Sequence, residues 1–321
     1  MVYIFLMGNV NKSISVLIIG FRRIENICKI LDVCVSAGVQ DFYISLDGLP
    51  SIECEPDTRK TQILNHVQNI NSKIKVQIEV RNRNLGCAVN VLTSCDWFFQ
   101  QEEFGIVLED DCVPHPSFIQ FSLDCQQLLL MNSDVLLFGG SQFDRKIEKA
   151  GIIFKSKYAL TWGWGTNREN WNILVSYIRD GFVRLKINEV FDYELRFWKS
   201  GARRAYQGYT DVWDTILQYQ LIQRNKYCYL PEKPLIKNIG FDEFATHTKL
   251  EPYWSDNLLE PYMGYCTTAN SSEFSISFLR NNVFAVAKKH LFSTIVRSIT
   301  DKFTRKKFSE PLLVRWDKYK L

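Results

Sequence analysis

The hydrophobic and polar positions of the first 140 residues follow two alternating patterns. Short apolar runs and one strictly alternating segment predict strands at residues 14–19, 42–46, 74–80, 106–108 and 135–138. Apolar residues at helical spacing predict helices at residues 24–35, 58–70 and 86–99, and from Pro116 onward. This repeated strand–helix order predicts an α/β fold, in which helices cover both faces of a mostly parallel sheet.

The rest of the chain has weaker periodicity and many aromatic side chains. Its pattern predicts helices at residues 168–177 and 209–224 and a short strand at 227–230. Because no change in composition marks a linker, we expect one large domain over residues 11–250. A helical pattern with a cluster of lysine and arginine predicts a helical, basic C-terminal extension over residues 251–321.

Composition narrows the class of protein. The chain has 321 residues, of which 46% are hydrophobic and 23% are charged, as in ordinary globular proteins. The net charge of +4 is too small to favour nucleic acid as a partner. We expect neither a spanning helix nor a signal peptide. The nine cysteines are scattered without a C-x-x-C pair, which predicts reduced thiols in a cytoplasmic protein.

The chemistry of the chain centres on Glu109, Asp110 and Asp111, which follow the predicted strand at 106–108. Ligands of open α/β sheets bind outside the carboxyl ends of the strands. Three adjacent carboxylates repel one another unless a cation or a hydroxyl-rich ligand satisfies them, and Mg²⁺ or Mn²⁺ suits oxygen ligands. From these residues alone, a solvated acidic turn remains an open alternative.

Several short motifs occur in a fixed order along the chain. They are IGFRR at 19–23, SLDGLP at 45–50, NLG at 84–86, LEDDCVPHP at 108–116, WGWG at 162–165, Trp213-Asp214, and residues 238–248. With these motifs the chain resembles glycosyltransferases of the GT-A fold, a Rossmann-like sheet. More narrowly, it resembles the bacterial HlpA-like sugar transferases, which are distantly similar to N-acetylglucosaminyltransferase I. The resemblance implies a nucleotide-binding half at residues 11–140 and an acceptor and catalytic half at 141–250.

By this resemblance the three acids match the DxD-type motif of the family. Asp111 is then the direct ligand of Mn²⁺ or Mg²⁺, while Glu109 and Asp110 face hydroxyls of the ribose and the donor sugar. His247 matches the C-terminal histidine that completes metal or diphosphate binding in many of these enzymes. A structural histidine is the alternative.

The resemblance also implies further contacts with the nucleotide sugar. Asp47 reads the nucleobase edge, although an Asp-Gly turn is the alternative. Arg23 contacts the nucleotide, with Arg22 or a helix-surface role left open. Gly163 allows close approach of the backbone to the donor sugar, and Trp162 and Trp164 offer faces for stacking, unless either ring belongs to the core.

Asp214 is the candidate general base. Inverting sugar transfer needs one carboxylate to deprotonate the acceptor hydroxyl as it attacks the anomeric carbon. Asp214 is expected at the start of a helix, where an aspartate could instead be a cap. Asp211 is the more obvious cap of that helix, and an exchange of the two roles stays open.

The resemblance therefore implies a metal-dependent, inverting glycosyltransferase. Its donor is a nucleotide-diphosphate sugar, and its acceptor is a saccharide or a lipid-linked molecule in bacterial surface polysaccharide synthesis. The basic extension is compatible with peripheral contact with the inner membrane. One alternative is a sugar nucleotidyltransferase, which the single glycine of residues 20–23 disfavours, because such enzymes use a glycine-rich phosphate loop. The other is a non-catalytic carbohydrate-binding module.

Overall fold

The fold is described from a computed structural model. It covers residues 14–50, 57–70, 73–142, 152–181, 193–241, 259, 261–262, 264, 267–270 and 308–319. His247, the predicted metal or diphosphate ligand, lies outside these residues.

The strands and helices alternate through the first half of the chain. The strands are β1 (Ser15–Gly20), β2 (Asp41–Leu46), β3 (Lys75–Val80), β4 (Phe104–Glu109), β5 (Cys112–Pro114), β6 (Val135–Gly139), β7 (Ile152–Ser156), β8 (Trp164–Asn167), β9 (Tyr227–Pro231), β10 (Ile236–Asn238) and β11 (Thr267–Asn270). The helices are α1 (Ile24–Ser36), α2 (Arg59–Ile70), α3 (Cys87–Gln101), α4 (Phe118–Met131), α5 (Arg168–Asp180), α6 (Tyr193–Tyr206), α7 (Asp214–Gln223) and α8 (Leu312–Tyr319).

Nine strands form one sheet in the order β11-β7-β9-β6-β8-β4-β1-β2-β3. The pairs β1–β2, β2–β3, β1–β4, β6–β9 and β7–β11 are parallel. The pairs β4–β8, β6–β8 and β7–β9 are antiparallel. The predicted α/β class with a mostly parallel sheet is confirmed.

The order of the first four strands creates a crevice. The chain runs from β1 to β2 and β3 on one side, then returns to the other side of β1 with β4. Because β1 pairs in parallel with both β2 and β4, the three strands end at the same edge of the sheet. A reversal of strand order at this edge is where open α/β sheets bind ligands.

Two hydrophobic layers cover the sheet. On one face, the apolar stripe of α1 is buried together with Phe118 and Phe121 of α4. On the other face, α3 is buried along most of its circumference and packs with residues of α5, α7 and α8. Both faces of the central strands are therefore covered, which explains their continuous apolar runs.

The second half departs from the sequence prediction in two places. Residues 193–206 form α6, and residues 164–167 form β8 in the middle of the sheet, although the sequence predicted neither. The helix predicted from residue 209 begins at Asp214. The strand predicted at 227–230 is confirmed as β9.

Two elements of the predicted C-terminal extension join the body of the fold. β11 pairs with β7, and α8 packs against α3 through the fully buried Trp316. The domain boundary at residue 250 stays a prediction. Among the described residues, no helix is long and apolar enough to cross a membrane.

Candidate functional site

A cavity of about 520 Å³ opens at the carboxyl edge of the first four strands. Its walls come from the loops after β1, β2, β3 and β4, from residues 211–215 and 238–241, and from Phe308. Six acidic residues of the described chain line it, namely Asp47, Glu109, Asp110, Asp111, Asp211 and Asp214. The structure thus brings together the acids that the sequence singled out.

Asp110 holds two loops together. Its Oδ2 accepts a hydrogen bond from the backbone N–H of Phe21 at 2.9 Å, and its Oδ1 accepts one from Arg23 Nη1 at 3.0 Å. Burial nevertheless raises the pKa of this carboxyl above its usual value. Both oxygens of Asp110 contact protein donors, so in this structure it fixes the loop after β1 against β4. Its predicted contact with ligand hydroxyls stays a prediction.

Asp111 is more open to the cavity, with 24% of its side chain exposed. Its Oδ2 lies 4.0 Å from Arg23 Nη1, and its Oδ1 accepts a hydrogen bond from Cys112 Sγ at 3.2 Å. A side chain at Gly240 would collide with this carboxylate, so glycine leaves the space that Asp111 occupies. Asp111 can therefore turn an oxygen towards a ligand.

Glu109 adds to an excess of negative charge. Trp213 forms a side-chain hydrogen bond with it, yet its pKa is raised well above the usual range. Burial is the main cause, followed by the charges of Asp111, Asp110 and Asp214. A cation bound among these carboxylates would relieve this repulsion.

The donor set fits a hard cation that is completed by ligand oxygens. No group of three histidine, cysteine or acidic side chains that could hold a metal ion occurs among the described residues. Mg²⁺ is usually held by one or two carboxylates together with substrate phosphates, so a complete protein cage is not required. Asp111 can supply such a carboxylate.

Asp214 and Asp211 have different surroundings. Asp214 is the first residue of α7, is exposed in the cavity, and accepts a hydrogen bond from the backbone N–H of Thr215 at 2.7 Å. Asp211 is buried and accepts from the backbone N–H groups of Cys87 and Ala88 at 2.9 and 3.2 Å. Asp211 therefore caps α3, and the prediction that it caps the helix containing Asp214 is wrong.

Asp47 anchors the loop after β3. Its buried carboxylate accepts hydrogen bonds from the backbone N–H groups of Leu85, Gly86 and Gly48 at 2.7, 3.0 and 2.9 Å. Residues 47–50 form no turn, so the Asp-Gly turn is not what Asp47 provides, and the nucleobase contact stays a prediction. Burial raises its pKa to about 6, although the three donors act in the opposite direction.

The raised pKa of Asp47 predicts a specific pH dependence of stability. Because the folded state favours the protonated form, the contribution of Asp47 is greatest below its unfolded pKa of 3.8 and is lost as the pH rises through about 6. We compare the free energy of unfolding of the wild type with that of Asp47→Asn. As the pH rises from about 4 to about 7, the wild type should lose up to about 3 kcal/mol relative to this variant. Urea titrations of both proteins measure this difference, and a constant gap across that range would contradict the assignment.

The arginines also have defined places. Arg23 is paired with Asp110, while Arg22 lines the cavity and lies over the ring of Phe21 at 4.9 Å. Sequence reasoning missed Arg59, which is buried and donates to the backbone oxygens of Asp47 and Phe21. Its guanidinium also pairs with the Asp57 carboxylate at 2.6 Å, and a single buried arginine on a polar helix leaves no periodic signal.

Gly163 and Trp164 do not line the cavity. Gly163 has φ +62°, and a side chain there would collide with Ile236. Trp164 is 1% exposed and packs against Trp171 and Trp213, with ring centroids 6.1 and 5.3 Å away. The predicted donor contact of Trp164 is therefore not supported, because β8 lies inside the sheet and directs this ring into the core. Trp162, the other predicted stacking residue, does line the cavity.

Two further residues of the cavity were missed by sequence reasoning. Phe308, just before α8, lines the wall beside Gly86, and its ring lies 3.5 Å from the Arg315 guanidinium. Asn90, in the second turn of α3, also lines the cavity. Phe308 belongs to no recognisable motif and lies far along the chain from the other cavity residues, so the sequence does not predict its position.

Comparisons with known proteins do not assign this chain to a family. No protein-family model matches the chain, and neither does any curated protein. Two solved structures of HddC from Yersinia pseudotuberculosis, one of them complexed with GMP-PN, match this chain. Each match covers 49% of this chain and 78% of the HddC chain. Identity is 13% and 14%, and the TM-score is 0.31 in both cases, too low to carry a functional argument.

Proposed function

We propose that this protein is an enzyme that binds a nucleotide in this cavity and acts on an activated sugar. The supporting observation is the position of Glu109, Asp111 and Asp214 around one cavity, at the point where the strand order reverses. More narrowly, we propose a metal-dependent, inverting glycosyltransferase of the GT-A fold that uses a nucleotide-diphosphate sugar.

In this proposal the carboxylates have separate tasks. Asp111 would hold Mn²⁺ or Mg²⁺, and such a cation would supply positive charge to offset the negative charge of the departing nucleoside diphosphate. Glu109 accepts hydrogen bonds from ligand hydroxyls, and Arg22 lies at the cavity wall where it can meet a phosphate.

Asp214 receives the proton of the reaction. The acceptor O–H gives its proton to the Asp214 carboxylate while the oxygen forms a bond with the anomeric carbon. The bond from that carbon to the diphosphate oxygen breaks on the opposite face, and the electron pair leaves with the nucleoside diphosphate. Because Asp214 is exposed in the cavity, an acceptor can reach it.

We also propose that the acceptor is a saccharide or a lipid-linked molecule at the cytoplasmic face of a bacterial membrane. This part of the proposal depends on the resemblance of the sequence motifs. A test is transfer from the donor to polyprenyl-phosphate-linked sugars in detergent micelles, compared with the free sugars.

A sugar nucleotidyltransferase is the second candidate. Two arginines directly after β1 line the cavity, as a basic phosphate-binding loop would. However, the backbone N–H of Phe21 in that loop is bound by Asp110, so it is not available to a triphosphate. The GMP-PN ligand belongs to HddC, and that likeness is too slight to choose between the two reactions.

The products separate the candidates. A glycosyltransferase releases nucleoside diphosphate from nucleotide sugars, slowly by hydrolysis without an acceptor, and this release should depend on Mn²⁺. A nucleotidyltransferase releases pyrophosphate from a nucleoside triphosphate and a sugar 1-phosphate. A non-catalytic module would bind carbohydrate and release neither.

Replacing Asp111 tests the cation site directly. We expect Asp111→Ala to weaken Mn²⁺-dependent binding of the nucleoside diphosphate by about a hundredfold, because the cation loses its protein carboxylate. Calorimetric titration of UDP, GDP, CDP and ADP, with Mn²⁺ and with chelator, measures this loss.

Asp32→Ala is a suitable control for that titration. Asp32 is an exposed aspartate on α1 paired with His66, and it does not line the cavity. It should bind like the wild type. Equal, Mn²⁺-dependent affinity of Asp111→Ala and wild type would place the cation elsewhere.

A further inference from the structure

Asn90 lines the cavity and has a buried side-chain acceptor that lacks a partner among the described residues. The residue is 4% exposed, and in the described part of the chain its Oδ1 meets no hydrogen-bond donor. Several buried polar side-chain atoms of the described residues lack a hydrogen-bond partner. Among them, Asn90 Oδ1 is the atom that belongs to a cavity-lining residue. A buried acceptor without a donor costs free energy, so an asparagine here disfavours the ligand-free fold.

The helix around Asn90 makes this choice of residue unusual. Its neighbours Ala88, Val89, Val91 and Leu92 are all buried apolar side chains. Asparagine is also a poor helix former compared with alanine or leucine. Neither packing nor helix formation explains Asn90, whereas a ligand that supplies a donor would.

Asn90 lies on the same side of the sheet as Glu109. One turn further along α3, Ser94 donates a hydrogen bond to Ser45 of β2 at 2.7 Å, so this face of α3 covers β2. Ser45 and Glu109 both pair with Ile19 of β1, which places their side chains on that same face. Asn90 is one turn nearer than Ser94 to the edge where the cavity opens.

We infer that Asn90 is a ligand-binding residue that, together with Glu109, recognises hydroxyl groups of a sugar ring in the cavity. This inference rests on the proposed function. A hydroxyl both donates and accepts, so it can donate to Asn90 Oδ1 or to the Glu109 carboxylate and accept from the Asn90 amide. The ring is the ribose of the nucleotide or the sugar to be transferred, since both present hydroxyls of this chemistry.

The first test is the stability of the ligand-free protein. Asn90→Leu keeps the branched shape and removes the buried acceptor, so its melting temperature should rise by about 2 °C. Asn238→Ala is the matched comparison, because Asn238 is a buried asparagine of the same cavity whose Oδ1 accepts from the N–H of Gly240 at 2.8 Å. The Asn238→Ala variant should melt at a lower temperature than the wild type. A fall for Asn90→Leu as large as for Asn238→Ala would overturn the inference, since Asn90 would then have a structural partner.

The second test is binding. Asn90→Leu and wild type are titrated in Mn²⁺ with UDP, 2′-deoxy-UDP, UDP-glucose, GDP, 2′-deoxy-GDP and GDP-mannose. Loss of about tenfold in affinity for the diphosphates, and no loss for their deoxy forms, assigns Asn90 to the ribose. Loss confined to the nucleotide sugars assigns it to the transferred sugar.

Unchanged affinity of Asn90→Leu for every ligand that the wild type binds would overturn the inference. A wild type that binds none of the six would instead refute the nucleotide-sugar proposal. In that case, the melting experiment still decides whether Asn90 holds an unpaired acceptor in the ligand-free protein.

Discussion

Replacing Asp214 with asparagine should lower the rate of sugar transfer by about a thousandfold, because general-base catalysis contributes about 10² to 10⁴. Donor binding should stay unchanged, since Asp214 acts on the acceptor. The asparagine keeps the shape of the side chain and its hydrogen bond with the N–H of Thr215, so α7 should form normally. Single-turnover transfer, together with calorimetry of the same preparation, measures the two quantities.

Asp211→Asn is the informative comparison for that experiment. Asp211 caps α3 and lies 3.7 Å from Arg315 Nη2, so its replacement should lower the melting temperature and leave each folded molecule competent in transfer. If Asp214→Asn transfers sugar at the wild-type rate while Asp211→Asn does not, the two roles are exchanged. If both transfer normally, the base is another group.

The six acids of the cavity explain why a motif alone does not define this site. Asp47, Asp110 and Asp211 each accept hydrogen bonds from backbone N–H groups of a different loop or helix. These bonds join the loop after β2 to the loop after β3, the loop after β1 to the loop after β4, and Asp211 to the start of α3. Glu109, Asp111 and Asp214 remain directed at the cavity, so the first set positions the second.

The elements of the first half could be predicted because their signals are local. A strand buried on both faces, such as β1, must be apolar throughout, and α1 shows its buried stripe at helical spacing. The crevice at the carboxyl edge follows from parallel strands joined by helices. These features need no knowledge of distant residues.

Roles that depend on a distant partner were not predictable in the same way. Asp211 resembles a cap of the helix that follows it in sequence, but its partners are the N–H groups of α3, more than a hundred residues earlier. Trp164 resembles a sugar-stacking residue, and its burial depends on β8 joining the sheet between β4 and β6. In both cases the deciding contact is tertiary.

Replacing Trp316 with alanine should lower the free energy of unfolding by about 4 kcal/mol, as expected for a large buried aromatic side chain. Trp316 is 0% exposed, and its Nε1 donates to Asp96 Oδ2 at 3.0 Å. Trp171 Nε1 donates to the other oxygen of the same carboxylate at 3.0 Å. The substitution therefore removes packing between α8 and α3 and also one of the donors that satisfy a buried charge. Urea titration measures the loss.

Two substitutions in the same helix separate these contributions. Trp316→Phe keeps most of the packing and removes the donor, so it should cost about 1–3 kcal/mol. Val314→Ala changes a side chain that is 51% exposed and should cost no more than about 0.5 kcal/mol. Because Phe308 precedes α8 and lines the cavity, Trp316→Ala should also weaken nucleotide binding, whereas Val314→Ala should not. Equal stability of Trp316→Ala and Val314→Ala would show that α8 does not pack on α3 in solution, and the place of Phe308 in the cavity wall would then have to be abandoned as well.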